Sequence, residues 1–335
     1  MTTEIKTKIK GTGFYLPKQI RHNKDLEKMV DTDDQWIFER TGIRERRVCS
    51  TEGGEWPADM AYNATLEALK NANLEPNDID MILFASVTPD YKLPNSATIL
   101  QTKLGITNNC GCLDIAAACS GFVYGLNLAN GMIRTGVNKN ILVVASEMLS
   151  REVDWSDRSS CILFGDGCAV AIVGANDDPN DKSEILASYL GADGTGRQYF
   201  DQPIGGSVNP ITIENLQNGD HYMQMRGREM FKVATRTLAK NAKKMLEAAD
   251  MTYEDIDWFI PHQANVRIIE TTAKLLNINL DKVVINIEKY GNTSAGTIPI
   301  AFHEAILDGR IKRGDIILFD TFGAGLTTGA TLFRY

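Results

Sequence analysis

Hydrophobic and polar residues are arranged along this chain in two kinds of segment. Nearly continuous apolar runs cover residues 79–87, 141–145 and 168–173, a pattern typical of strands in a sheet that is covered on both faces. Residues 57–73 and 121–132 instead carry apolar side chains at helical spacing. Strands that alternate with helices predict an α/β fold with largely parallel sheets, and a polar break at 176–183 divides the series in two.

The segments on either side of this break repeat one another. The stretch that runs from Leu69 through Asp78 recurs from Leu246 through Asp255, a displacement of 177 residues at both positions. Three weaker echoes follow in the same order, at 104–106 and 276–278, at 136–139 and 309–312, and at 164–167 and 322–325. The repeat predicts two similar α/β halves, 1–175 and 176–335.

The composition is that of a soluble globular protein, with 43% hydrophobic and 23% charged residues in a chain of 335. The net charge of −8 argues against general nucleic-acid binding. No apolar run approaches the ~20 residues that span a bilayer, and residues 1–6 lack the apolar core of a signal peptide. We interpret the six cysteines of such a chain as reduced thiols. Cys110 and Cys112 are close together, but the sequence has no second Cys/His pair at the spacing of a zinc site. We therefore expect a cytoplasmic protein without a metal site.

The segment 114–125 carries the first candidate for chemistry. Its apolar residues up to Ala118 predict the end of a buried strand, and a helix is predicted from Gly121 onward, with Cys119 at the join. A cysteine at a helix N-terminus faces unpaired N–H groups and the positive end of the helix dipole, which stabilise a thiolate. Such a cysteine is either a nucleophile or a small buried hydrophobic residue, and the motif alone favours the second interpretation.

The repeat supplies two partners for this cysteine. It sets Cys119 opposite Asn292, and it sets His262 at the carboxyl end of the strand that matches 79–87. Polar side chains at strand ends in one crevice make a site. A Cys/His/Asn set is compatible with a papain-like hydrolase, in which Asn orients His, and with a condensing enzyme, in which His and Asn donate to a thioester oxygen. The other histidines, interpreted as surface or structural residues, are His22, His221 and His303.

The residues around these three positions resemble a known family. The sequences 117–122 (AACSGF), 261–265 (PHQAN) and 291–295 (GNTSA) are similar to motifs of the thiolase-fold condensing enzymes, and more closely to those of the β-ketoacyl-[acyl-carrier-protein] synthase III family. The resemblance extends over essentially the whole chain. It implies a thiolase-like fold in which two pseudo-symmetric α/β halves form a layered αβαβα architecture, with the nucleophilic Cys in the first half and His and Asn in the second.

The resemblance also implies an activity, the decarboxylative Claisen condensation of a short acyl-CoA with malonyl-acyl-carrier-protein (malonyl-ACP). Cys119 would carry the acyl group, while His262 and Asn292 would hold the malonyl thioester oxygen as carbon dioxide leaves. The backbone N–H groups of Cys119 and Ala324 would form the oxyanion hole, although the family usually has glycine at the second position. No cofactor is implied, because coenzyme A is part of the substrate.

Further sites follow from the resemblance alone. Residues Arg267 and Lys274 lie seven apart on one predicted helix and would receive the acidic carrier protein. Leu93 would reach into the acyl pocket of the partner subunit in a homodimer. The positions that would bind coenzyme A are Thr32, Trp36, Arg40, Arg158, Gly227, Phe231 and Asn265.

Two other interpretations remain open. A starter-unit condensing enzyme of secondary metabolism would use the same Cys/His/Asn triad. A binding or thiol-redox protein would instead exploit the six cysteines without a catalytic site. A degradative thiolase is disfavoured, since it would carry a second cysteine near residues 322–325, where this chain has none.

Overall fold

The structure is a computed structural model that describes residues 5–335. The first four residues, which belong to the opening segment considered above for a signal peptide, lie outside this range. Among residues 5–335, no helix is both long enough and apolar enough to cross a bilayer.

Strands and helices alternate along most of the chain. The strands are β1 (Thr7–Tyr15), β2 (Gln19–His22), β3 (Glu45–Val48), β4 (Met81–Ala85), β5 (Gly111–Ile115), β6 (Asn140–Met148), β7 (Asp166–Ala175), β8 (Glu184–Ala192), β9 (Phe200–Asp201), β10 (Gln224–Met225), β11 (Trp258–Pro261), β12 (Ile316–Gly323) and β13 (Thr327–Arg334). The α-helices are α1 (Asn23–Leu26), α2 (Asp34–Thr41), α3 (Pro57–Ala72), α4 (Ser96–Lys103), α5 (Gly121–Arg134), α6 (Arg158–Cys161), α7 (Ile213–Gln217), α8 (Gly227–Ala248), α9 (Val266–Leu275), α10 (Ile287–Tyr290) and α11 (Thr297–Leu307).

The two main sheets have corresponding strand orders. The first sheet runs β1-β7-β6-β4-β5, and the second runs β8-β13-β12-β11, with a parallel bridge from Phe259 to Val283 in the place of β5. This correspondence confirms two pseudo-symmetric α/β halves. The sheets are mixed and not largely parallel, because β7 runs antiparallel to β1 and β6, and β13 runs antiparallel to β8 and β12. The three residues between β12 and β13 are too few for a parallel crossover, which takes a dozen or more.

The layers follow from where each helix buries its apolar side. Helices α5 and α11 lie between the sheets, where Val123, Leu126 and Phe302 are buried. The ring of Phe302 meets Phe319 of β12 edge-on, with 5.2 Å between centroids. Helices α3 and α4 cover the outer face of the first sheet, and α8 and α9 cover the second. The predicted αβαβα layering is confirmed, while a division into domains at 175/176 stays a prediction.

Equivalent turns introduce the two central helices. Single 3₁₀ turns, Ala118–Ser120 and Ser294–Gly296, lead directly into α5 and α11. Both turns begin at a non-glycine residue with left-handed backbone, φ 46° at Ala118 and 51° at Ser294. The turns therefore set Cys119 opposite Ala295, and the predicted equivalence with Asn292 is wrong by three residues. The strand before Cys119 also ends earlier than predicted, at Ile115, and residues 116–117 link it to the turn.

Candidate active site

The turn before α5 holds Cys119 between two cavities. Cys119 is 6% exposed, and it lines both a larger cavity of about 430 Å³ and a smaller one of about 210 Å³. Gly323, at the end of β12, packs directly against this turn. A Cβ at Gly323 would lie 2.9 Å from the Cys119 nitrogen and 3.2 Å from the Cys119 Cβ, closer than ordinary contact. Glycine at 323 therefore lets the end of β12 approach the nucleophile.

Burial dominates the ionisation of this thiol. It raises the pKa of Cys119 to about 12, against a lowering by the Ser294 hydroxyl and a further rise from the charge of Glu147. The rise from 9.0 corresponds to about 4 kcal/mol, whereas a helix N-terminus contributes at most about 2 kcal/mol. The backbone N–H at this turn does lower the pKa of Cys119, as predicted, but the effect of burial is larger. The thiol must lose its proton during the reaction.

His262 follows the last residue of β11 and is almost fully buried. Its backbone N–H donates to the Asp320 carbonyl oxygen (2.9 Å), and its Nδ1 lies 2.7 Å from Thr297 Oγ1. The Thr297 hydroxyl has one proton and two neighbours, Nδ1 and the Ser294 carbonyl oxygen at 3.1 Å. A carbonyl oxygen can only accept, so the Thr297 hydroxyl donates to Ser294, and its contact with Nδ1 does not by itself fix the tautomer of the His262 ring. Burial lowers the pKa of His262 to about 3, so this imidazole is neutral near pH 7.

The side-chain amide of Asn292 is oriented by its own turn. Its Oδ1 accepts a hydrogen bond from the Ser294 N–H (2.8 Å), and its backbone N–H donates to the Leu163 carbonyl oxygen (2.8 Å). With the amide oxygen occupied, the NH₂ group is the part left for the larger cavity, which Asn292 lines together with His262 and Cys119. The site therefore presents one thiol, one neutral imidazole and one amide NH₂ group to a single space.

The lining of the larger cavity combines apolar residues with long, positively charged side chains. Met230, Ile268 and Phe322 are among its apolar residues. Four positively charged side chains also line it: Arg40, Arg228, Lys232 and Arg267. Of the positions predicted to bind coenzyme A, four line this cavity: Arg40, Gly227, Phe231 and Asn265. Such a space suits a ligand with a long, neutral arm and an anionic end.

The other positions predicted to bind coenzyme A, Thr32, Trp36 and Arg158, lie outside the lining of this cavity. Two guanidinium groups lie over the Trp36 ring, that of Arg40 at 4.2 Å and that of Arg158 at 4.6 Å from its centroid. Arg158 Nη1 also donates to the Asp31 carbonyl oxygen (2.6 Å). The Trp36 and Arg158 pair is therefore already closed, and a planar base could enter between them only if the guanidinium moved. Thr32 is half-buried, and its hydroxyl has no hydrogen-bond partner.

The smaller cavity lies on the other side of Cys119 and is mainly apolar. Its hydrophobic side chains are Val87, Leu149, Phe164, Phe200 and Met223. Ala324, the predicted oxyanion-hole residue, lines this cavity beside Cys119. Leu93 does not, since it is 87% exposed on the surface of its own chain. Leu93 therefore does not line the acyl pocket of its own subunit. That it reaches into the acyl pocket of a partner subunit stays a prediction.

Known proteins are similar to this chain in sequence and in fold. Residues 113–194 match the family model of 3-oxoacyl-[acyl-carrier-protein] synthase III, and residues 246–335 match that of its C-terminal part. A β-ketoacyl-[acyl-carrier-protein] synthase III from Caldanaerobacter subterraneus is 47% identical over 335 residues, covering 100% of this chain and 99% of the relative. The chain belongs to the β-ketoacyl-[acyl-carrier-protein] synthase III family.

Solved structures of the family have the same fold. The synthase III of Aquifex aeolicus is 46% identical, with a TM-score of 0.90 over 98% of this chain and 100% of that one. The priming β-ketosynthase of the R1128 polyketide pathway is 30% identical, with a TM-score of 0.89 over 100% and 98% of the two chains. The family, the fold class and the enzyme class predicted from the sequence are confirmed.

As a member of the synthase III family, this chain is expected to bind a carrier protein, and the two predicted contacts lie on α9. Both Arg267 and Lys274 are exposed, and Arg267 lies at the larger cavity. The exposed Glu270 lies three residues after Arg267, so a negative charge interrupts this face of the helix. Their role in binding a carrier protein stays a prediction.

Three residues next to the triad were not singled out from the sequence. Thr297 and Ser294 lie on or beside the turn before α11, where hydroxyl residues among small neighbours give no separate signal. Glu147 could have been noticed in the sequence, because it is the one charged residue within the apolar strand β6 and lies near the carboxyl end of that strand. A buried carboxyl at that end of a sheet is a candidate for function.

Proposed function

We propose that this chain condenses an acyl-CoA with malonyl-ACP, releasing coenzyme A and carbon dioxide and forming a β-ketoacyl-ACP, the first condensation of type II fatty acid synthesis. The observation that carries the proposal is the position of Cys119, between a larger cavity with four positively charged side chains and a smaller, mainly apolar cavity. His262 and Asn292 face the same space. Membership of the synthase III family supports the same reaction.

The two cavities support separate binding of the two parts of an acyl-CoA. The pantetheine arm would lie in the larger cavity, with its phosphates near the four positively charged side chains, and the acyl chain would enter the smaller cavity. Attack by Cys119 on the thioester then leaves the acyl group among apolar residues and releases coenzyme A along the larger cavity. The acyl-enzyme is thereby shielded from water, as a ping-pong reaction requires.

The neutral imidazole and the amide group support the decarboxylation step. Malonyl-ACP would place its thioester oxygen between the His262 ring and the Asn292 NH₂ group, and in the tautomer with a hydrogen on Nε2 both groups would donate to the developing negative charge. Loss of carbon dioxide supplies the electron pair that attacks the acyl group on Cys119. This step needs no general base, which agrees with the low pKa of His262 (about 3). The backbone N–H groups of Cys119 and Ala324 would receive the oxyanion during the acyl transfers.

The size of the smaller cavity supports a starter longer than acetyl. Its volume of about 210 Å³ is larger than a two-carbon group needs. An acyl chain of about four to six carbons would fill this space better. The walls are apolar, so a charged or hydroxylated starter would be disfavoured.

We also propose that the enzyme works in the cytoplasm as a homodimer. Strand β5 lies at the edge of the first sheet, and large apolar side chains are exposed near it at Leu113, Tyr91 and Leu93. Asn95 Nδ2 donates to the Cys112 carbonyl oxygen (3.2 Å), which ties the loop that carries Leu93 to β5. An exposed strand edge beside exposed apolar residues is a favourable interface.

The test is a reconstituted condensation. Purified protein is mixed with malonyl-ACP and each acyl-CoA from acetyl to octanoyl, and the mass of every ACP product is recorded. We expect a β-ketoacyl-ACP, formed fastest with a starter of four to six carbons. Cys119→Ser should form no acyl-enzyme. His262→Ala and Asn292→Ala should still be acylated but should lose decarboxylation of malonyl-ACP by about 10²-fold or more.

Two outcomes would contradict the proposal. No β-ketoacyl-ACP with any starter would exclude the reaction, and normal condensation by His262→Ala and Asn292→Ala would exclude the donor roles. The product masses also address the secondary-metabolism alternative, which predicts a starter outside the fatty-acid series. The chain is 46–47% identical to the synthase III proteins of Caldanaerobacter subterraneus and Aquifex aeolicus and 30% identical to the polyketide priming enzyme, which favours fatty acid synthesis.

A further inference from the structure

The segment directly after β4 leaves the first sheet and forms part of the wall of the smaller cavity. Strand β4 ends at Ala85, whereas its neighbour β6 continues to Met148, paired there with β7. The backbone N–H groups of Val87 and Thr88 therefore have no strand partner, and they are received by side chains instead. Val87 lines the smaller cavity together with Cys119.

One buried carboxyl holds this segment. Glu147 lies in the part of β6 that extends beyond the end of β4, and it is completely buried. Its Oε2 accepts a hydrogen bond from the Val87 N–H (3.1 Å) and from the hydroxyls of Ser86 (3.2 Å) and Thr88 (2.8 Å). The Thr88 hydroxyl also accepts from the Met148 N–H (2.8 Å), which ties the segment to β6 a second time.

Val87 is the most exposed of the hydrophobic residues that line the smaller cavity. Leu149 and Phe164 are at most 2% exposed, so the packing of their own chain fixes their positions. Val87 is 40% exposed, which leaves its outer side largely without contacts from the same chain. The position of this part of the wall therefore depends on the hydrogen bonds of the segment more than on packing.

The carboxyl and the segment stabilise each other. The other oxygen of Glu147, Oε1, has no hydrogen-bond partner, and burial raises the pKa of this carboxyl to about 7. Both observations show that burying an acid here is unfavourable. The hydrogen bonds to Oε2 offset that cost, because Ser86 and Thr88 are buried as well and would otherwise lose these partners.

We propose that Glu147 is a positioning residue that limits the length of the acyl chain in the smaller cavity, by holding Val87 against the space beside Cys119. The inference rests on the proposed function, since it requires the acyl chain to enter this cavity. Glu147 does not itself line the cavity and acts through the backbone of Val87. Without its hydrogen bonds, residues 86–88 can move outward, toward the side on which Val87 is already exposed, and the cavity lengthens.

The role can be tested by acylation of Cys119 with acyl-CoAs from acetyl to decanoyl, followed by intact mass. For the wild type we expect octanoyl-CoA to react more slowly than hexanoyl-CoA by about tenfold or more, because methylenes that a pocket cannot hold cost at least that factor. For Glu147→Ala we expect the two rates to become similar. Thr88→Val removes the shortest of the three hydrogen bonds and should change the ratio in the same direction by a smaller factor.

Two further variants separate positioning from other roles. Glu147→Gln removes the charge but keeps an oxygen that can accept the same hydrogen bonds, so it should keep the wild-type ratio. Ser146→Ala is the matched control, because Ser146 precedes Glu147 in β6 and its buried hydroxyl donates to the Pro57 carbonyl oxygen (2.8 Å). Neither Ser146 nor Pro57 lines the cavity, and the ratio should stay unchanged.

Hydrogen exchange followed by mass spectrometry measures the positioning without any acyl-CoA. The peptide that contains residues 86–88 should exchange about tenfold faster in Glu147→Ala, and at the wild-type rate in Glu147→Gln and Ser146→Ala. Thr88→Val remains informative if Glu147→Ala does not fold.

Several outcomes would overturn the role. One is unchanged exchange of residues 86–88 in Glu147→Ala, and another is a wild-type ratio of the two acylation rates in that variant. A changed ratio in Glu147→Gln or in Ser146→Ala would also contradict it. Failure of the proposed function is recognised separately, since the wild type would then be acylated without forming any β-ketoacyl-ACP. Absence of acylation by every acyl-CoA would overturn both.

Discussion

The neutral state of His262 has a measurable consequence for the pH dependence of stability. Its pKa in the folded protein, about 3, lies below the ordinary value of 6.5 that it regains on unfolding. The unfolded chain therefore binds the proton first. The stabilisation is complete above about pH 6.5 and is lost as the pH falls toward about 3. The loss is about 1.4 kcal/mol for each pH unit in this interval, or about 2 kcal/mol at pH 5.

The perturbation is His262→Asn, which removes the titrating group and keeps a small polar side chain. We expect the wild type to lose about 2 kcal/mol more unfolding free energy than the variant does between pH 7 and pH 5. Urea unfolding followed by tryptophan fluorescence at both pH values measures the two differences. Other buried titratable groups are present in both proteins, so their contributions cancel in the comparison.

The refuting result is a constant gap between the two proteins. If the wild type and His262→Asn differ in unfolding free energy by the same amount at pH 7 and pH 5, then the imidazole is not a buried neutral group. The assignment of its donor role near neutral pH would then lose its physical basis.

Two other predictions concern packing and assembly. Gly323→Ala should lower the free energy of unfolding by about 1–3 kcal/mol and slow acylation of Cys119 by about tenfold or more, because the new Cβ meets the Cys119 backbone at 2.9 Å. Gly131→Ala is its control: nothing lies near the added Cβ in α5, so it should raise stability by about 0.5–1 kcal/mol in thermal melts and leave acylation unchanged. Leu93→Asp should shift the protein from dimer to monomer in sedimentation velocity, whereas Val208→Asp, at an equally exposed aliphatic residue (88%), should not. A loss of acylation in Gly131→Ala, or a dimer in Leu93→Asp, would contradict the respective argument.

Much of the fold could be predicted from the sequence because its signals are local. Apolar runs and helical spacing identify the strands and helices of both halves, and the displacement of 177 residues identifies the duplication. Strand direction was predicted less well. The antiparallel β7 and β13 are apolar runs like the parallel strands, because a strand buried on both faces shows the same pattern in either direction.

The sequence predicted which residues form the candidate site but not their ionisation. Cys119, His262 and Asn292 are recognised by their flanking residues, and all three line one cavity. The N–H groups of the turn lower the pKa of Cys119 as predicted, but the larger rise caused by burial was not predicted. A helix N-terminus can be read from a sequence, but the loss of hydration that raises this pKa to about 12 depends on what packs around the turn.

The sequence by itself determined the family, the duplicated α/β architecture and the identity of the reacting residues, since each of these is carried by residue types at fixed spacing. Only the tertiary structure decided how the site is balanced. It buries Cys119 between two cavities, it gives His262 a hydroxyl partner 35 residues away, and it buries the carboxyl of Glu147 near the end of β6. These contacts join elements that are distant along the chain. Hydration, hydrogen bonding and charge at the site are therefore properties of the packed structure and not of any segment alone.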